Sequence, residues 1–227
     1  MPHRRPVVLL FAILLGLVVP AFGESDPSTP KGALKAFYES LEAGDAAGVR
    51  ASFQTASEPE KQLADAYAAQ LTAAKALGDA ARAKFAAAGD TLSRGLPVRD
   101  EIARLADAQV KIDGPRATVR LPGQAKALTM VQADGRWRLA LGEYAGATTP
   151  DALANQTAVL NDMAGVFQSV AEDINADKFA TATEAQRALQ KKLQGILFTA
   201  LQKNPPTTQP GSAAGASTQP AHAPAGH

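Results

Sequence analysis

From Val110 to Leu141 apolar side chains return at every second position, whereas before and after that stretch they return every third or fourth. A period of two marks strands with one covered face, and a period near 3.6 marks helices. The chain is therefore read as α+β, with one sheet flanked by helical segments. Val110 and Ile112 alternate with polar neighbours up to the turn pair Asp113-Gly114, and Ala117, Val119 and Leu121 alternate with Arg116, Thr118 and Arg120. A third strand is expected at about 127–133. After Asp134-Gly135, a fourth sets Trp137, Leu139 and Leu141 on one face and Arg136, Arg138 and Ala140 on the other. Short turns of this kind join strands into an antiparallel meander with one buried face.

The helices that cover this face are written in caps and stripes. Thr29 can cap a helix with Pro30 in its first turn, Leu34, Phe37, Tyr38 and Leu41 on one side, and Gly44 as its stop. That stripe is the expected partner of Trp137. Asp45 caps a second short helix whose inward residues are read as Val49 and Phe53. Ser57 and Glu60 have capping-box spacing, which predicts a third helix running to Ala88 with Leu63, Tyr67, Leu71, Ala74, Leu77, Ala81 and Phe85 as its stripe. Pro97 to Ala106 adds a short helix with Val98, Ile102 and Leu105.

Beyond Pro150, Leu153, Leu160, Phe167 and Ile174 recur at spacings of seven, with Met163 and Val170 between them. After a break from Asn175 to Ala182, Thr183 has capping-box spacing to Gln186. A last helix then carries Leu189, Leu193, Ile196, Leu197, Ala200 and Leu201. The two helices are expected to form an antiparallel hairpin buried within the chain; the alternative is a homodimer through 153–174.

The ends bound the compartment. His3, Arg4 and Arg5, an apolar run from Val7 to Val19, and Ala21-Phe22-Gly23 have the order of a cleavable signal peptide at 1–23, with a new amino terminus near Glu24. The apolar run is shorter than the about 20 residues that span a bilayer, and a retained anchor is the alternative. The expected location is periplasmic or extracellular, with no membrane span after cleavage. There is no cysteine, so packing alone must hold the fold. Of the 23 basic residues two leave with the leader, against 22 acids, so the remainder is close to neutral. Lys and Arg are scattered among acids along the chain, and nucleic acid is not an expected partner. The segment 204–227 is made largely of Pro, Thr, Gln, Gly, Ala and Ser and reads as a disordered tail. His222 and His227 lie in it and are not taken as a metal site, and no cofactor is expected.

Taken together, Pro30-Lys31-Gly32-Ala33-Leu34-Lys35-Ala36-Phe37-Tyr38-Glu39-Ser40-Leu41-Glu42-Ala43-Gly44-Asp45, the hairpin from Val110 to Leu121 and the Asp134-Gly135-Arg136-Trp137-Arg138-Leu139 turn resemble the nuclear transport factor 2-like superfamily, in particular its small secreted SnoaL-like and lumazine-binding-like members. The resemblance covers about residues 29–141. It implies a cone-like domain, at 24–145 here, in which helices pack on a curved antiparallel sheet and leave a pocket at the open end. The helical insertion at about 57–106 and the hairpin at 150–203 depart from that pattern.

Three functions compete on this footing. The first is an exported noncatalytic envelope protein whose cone-like domain binds a small apolar ligand or a protein partner. The second is a small-molecule isomerase or dehydratase using a pocket carboxylate. The third is a helical dimerisation or docking protein. Acid–base chemistry needs a titratable group in a dry site. The candidate acids are Asp45, Asp100, Glu101 and Asp107, of which Asp45 is already explained as a cap and the others fall in a polar helix, so no catalytic residue is assigned. Tyr38, Tyr67 and Trp137 are the pocket candidates, each with core packing as its competing role.

Overall fold

The computed structural model describes residues 25–93 and 98–203. The expected signal peptide (1–23) and the tail at 204–227 with His222 and His227 lie outside the described residues.

Helix α1, Pro30–Ala43, starts where Thr29 Oγ1 accepts the Gly32 N–H at 3.1 Å. It ends where Gly44 turns left-handed (φ 68°) and the Gly44 and Asp45 N–H groups donate to the Leu41 and Ser40 carbonyls. The left-handed backbone is what selects glycine at Gly44, since the nearest neighbour of an added Cβ is the flexible Lys75 side chain. Asp45 caps α2, Ala46–Ala51, by accepting from Gly48 N at 3.0 Å. Helix α3, Glu58–Phe85, opens on the expected capping box of Ser57 and Glu60. It stops three residues earlier than the stripe implied, because Ala86 takes φ 49° and turns the chain into a 3₁₀ segment, Ala86–Gly89. Two short helices follow, α4 at Asp90–Ser93 and α5 at Val98–Arg104.

The sheet has five strands in the order β1-β5-β4-β3-β2. Strands β2 (Gln109–Asp113), β3 (Arg116–Arg120), β4 (Leu128–Ala133) and β5 (Arg136–Ala140) form the expected antiparallel meander. One strand is added. Phe53, read as the inner face of the second helix, instead belongs to β1, Phe53–Gln54, which runs parallel to β5 with Phe53 opposite Leu139. The sheet is therefore open and mixed. The β5 edge drives this pairing: the Leu139 and Trp137 N–H groups need acceptors, and the Ser52 and Pro27 carbonyls supply them at 2.8 Å each. Leu141, expected on the fourth strand, is buried but begins helix α6, Leu141–Ala145.

One face of the sheet carries the main core, where Val119, Leu121, Met130, Trp137 and Leu139 meet Leu34 and Phe37 of α1. Trp137 is 5% exposed on the face that alternation assigned to it. Helix α7, Pro150–Asn175, lies against α3. Tyr67 meets Gln156, Gln70 meets Met163 and Lys84 meets the Ile174 carbonyl, so the two helices advance in the same direction. Helix α8, Ala182–Lys203, turns back along α7, with Lys192 donating to Ser169 and Asp173. It is capped by Thr181 rather than Thr183: Thr181 Oγ1 accepts from Glu184 N at 3.2 Å, and the Glu184 carboxylate accepts from Ala180 N at 2.8 Å. This start places Ala182, Ala185 and Leu189 against Leu77, Ala81, Val170 and Ile174 in a second core.

The seam proposed for a homodimer through 153–174 is thus largely consumed inside the chain. Leu153 and Leu160 are buried in the main core, and Val170 and Ile174 in the second. Among the described residues no helix is long and apolar enough to cross a membrane.

Candidate functional site

All three tyrosines of the chain meet in one aromatic cluster. Helix α1 supplies Phe37 and Tyr38, β1 supplies Phe53, α3 supplies Tyr67, and α6 supplies Tyr144. Phe37 stands 5.5 Å from Phe53 and 5.7 Å from Tyr144, while Phe53 stands 5.6 Å from Tyr67. The Tyr67 hydroxyl accepts a hydrogen bond from Gln156 Nε2 of α7 at 3.1 Å. Burial pushes the Tyr67 phenol up to about 12, with Tyr144 adding to the shift and Gln156 opposing it. Burial likewise raises Tyr38, assisted by the charge of Glu101 and by Tyr144, and it raises Tyr144 itself. Of the sequence candidates, Tyr38 and Tyr67 are brought together here. Trp137 shares the core but takes no part in these ring contacts.

The candidate acids are dispersed. Asp45 is occupied as the α2 cap, and Asp100 and Asp107 face solvent. Glu101 is half-buried and accepts from Arg104 Nη1 at 3.2 Å and Gln124 Nε2 at 3.0 Å, which explains it as part of a polar clasp between α5 and the β3–β4 loop. Among the described residues there is no cluster of three His, Cys, Asp or Glu able to hold a metal ion.

Beside the aromatic cluster lies an open cleft of about 510 Å³. Its lining comes from four elements: Ala46, Ala47, Arg50 and Ala51 of α2, Phe53 of β1, Ala68 of α3, and Arg138 of β5. The short α2 presents small side chains because Asp45 and the Gly44 turn fold it tightly back on α1, and β1 pulls Phe53 down onto Tyr67 behind it. The two arginines are not equivalent. Arg50 Nε is paired with Asp65 Oδ1 at 2.7 Å, whereas Arg138 Nη1 makes a long bond of 3.5 Å to Gln54 Oε1 and keeps its other donors. The floor is thus apolar, and one guanidinium at the rim is available to an anion.

Sequence reasoning placed Arg138 on the outer face of its strand but did not find this cleft. The missing signal was the β1–β5 pairing, since two residues of strand leave no periodic trace. A second, smaller depression of about 350 Å³ lies between α3 and α7, where Gln62, Asp65 and Asn161 surround the buried, unpartnered Thr157 hydroxyl.

Fold and cleft together define an α+β protein with helices on one face of an open mixed sheet and a small amphiphilic recess at the sheet edge. No family model, no curated protein and no solved structure matches this chain.

Proposed function

We propose that this chain is an exported, noncatalytic envelope protein of the nuclear transport factor 2-like kind, and that it binds a small apolar molecule carrying one anionic group. The observation that carries the reading is the cleft itself: an apolar floor of alanines and Phe53 with the Arg138 guanidinium at its margin. Its volume of about 510 Å³ falls within the usual range for small-molecule sites. The alanines, with the little of Phe53 that reaches the cleft, offer an apolar wall for the ligand's body, and a carboxylate or similar head group can accept from the planar guanidinium. Its lining holds no carboxylate or imidazole, so nothing in it can pass a proton near neutral pH, which favours binding over turnover. Export rests on the leader at 1–23, read from sequence.

Calorimetric titration with a medium-chain fatty acid tests the reading. Arg138→Ala should weaken binding about tenfold or more, the worth of a lost charge-assisted hydrogen bond. Ala47→Trp, which fills the recess, should abolish binding while leaving the fold intact. If both variants bind as the parent does, the cleft is not the site.

A further inference from the structure

The outer face of the sheet gathers charge in a way the linear sequence conceals. Six of the basic residues, but only two acids, Asp113 and Asp134, lie between Gln109 and Ala140. The rest of the chain from Glu24 onward carries 15 basic and 20 acidic residues, so the meander is positive and the helices are negative. Strand alternation then sorts five of these cations, all but Lys126 of the β3–β4 loop, onto one side. The register sets Arg120 opposite Gln109, Lys111 opposite Thr118, Arg116 and Arg138 on either side of Val131, and Arg136 opposite Ala133. Arg116 is compensated by Glu143 of α6. Lys111, Arg120 and Arg136 are exposed, and their side chains make no hydrogen bond or ion pair among the described residues.

We propose that this outer face of the β2–β5 meander is a docking surface for the anionic phospholipid headgroups of a bilayer. Five-residue strands at the usual spacing give a platform roughly 17 Å by 14 Å, broad enough to meet several headgroups at once. Guanidinium groups match phosphate oxygens in plane and are lightly hydrated, so they give up water at little cost. The remaining outward positions are filled by Gln109, Asp113, Thr118, Thr129, Val131, Ala133 and Ala140, so Asp113, opposite Arg116, is the one acid on the strands' outer face. They offer no aromatic ring on which a base could stack and no helix to enter a groove, which favours a lipid surface over nucleic acid. The acidic helices on the far side would be repelled by the same surface and so fix the orientation. The cleft reading is separate, because Lys111, Arg120 and Arg136 do not line the cleft.

The test is cosedimentation of the expected mature chain, from Glu24 onward, with vesicles of phosphatidylglycerol and phosphatidylcholine in equal parts, against vesicles of phosphatidylcholine alone. The parent should partition to the anionic vesicles, and raising salt to about 1 M, where charges are screened within about 3 Å, should release that excess. Lys111→Glu, Arg120→Glu and Arg136→Glu together should lower partitioning on the order of 100-fold or more. The same charge change made elsewhere, with Lys61→Glu, Arg187→Glu and Lys191→Glu, should lower it far less. Should the first triple variant lose its native circular dichroism, the corresponding glutamine variants read the same contrast. Equal losses in the two triple variants, no loss in the first, or preference of the parent for a short DNA duplex over the anionic vesicles each overturn the proposal.

Discussion

Tyr67 illustrates how packing sets a side chain's chemistry here. Its ring is enclosed by Phe53 and Tyr144, its hydroxyl is tied to Gln156, and burial raises its ionisation to about 12 from an ordinary value of 10.0. A phenol held neutral in the folded state and free to ionise in the unfolded state stabilises the fold fully below pH about 10 and progressively less up to about 12. Tyr38 and Tyr144 shift in the same direction for the same reason. The chain has no other tyrosine, so an ultraviolet titration of the native protein should show no tyrosinate step near pH 10, with phenolate appearing only together with alkaline unfolding. An ordinary step there would mean that the cluster is open to water. Helical periodicity was enough to place Tyr38 and Tyr67 on covered faces, and alternation placed Trp137. The meeting of both tyrosines with Tyr144 was not legible, because it depends on how α6 turns after β5.

At the scale of elements, what was legible had local causes and what was missed had distant ones. The caps of α1, α2 and α3 are side chains acting within three residues, and each was read correctly. Strand β1 is fixed by a partner some 85 positions away, and its two residues carry no period of their own. The start of α8 was expected at Thr183 and lies at Thr181, a start that buries Ala182 and Ala185. The end of α3 was missed because an alanine, Ala86, takes a positive φ of 49° there. Its consequence is that Gly89 lies against the Ala81 carbonyl so closely that an added Cβ would collide with backbone. Gly165, in the exposed middle of α7, would place a Cβ in open space. In chemical denaturation Gly89→Ala should therefore destabilise the protein by about 1–3 kcal/mol, as overpacking does. Gly165→Ala should stabilise it by about 0.5–1 kcal/mol, through helix propensity and a less flexible unfolded chain. The reverse order would contradict the turn that ends α3.

For the whole molecule, the sequence suggested a cone-like domain with an appended hairpin, and the packing joins the two more closely. Helix α3 takes part in both cores, with Leu63 in the one beneath the sheet and Leu77 and Ala81 in the other. Helix α7 runs parallel beside it and does the same, so the pair forms a common spine. A parallel pair cannot close through a short turn, and here the return path is the sheet itself. Periodicity revealed both stripes but could not say that they face each other, since the facing is set by the route of the intervening chain. Removing 150–203 would therefore strip partners from the sheet core as well as from α3. Leu153, Leu160, Val170 and Ile174 are all buried, and at about 1.5–3 kcal/mol each their loss is comparable with the entire stability of an ordinary domain. A chain ending at Thr149 should accordingly show no cooperative thermal unfolding by circular dichroism and an expanded size by light scattering. A sharp melt from that shortened chain would mean that the sheet and α1 stand alone, with the α3–α7 spine an accessory to them.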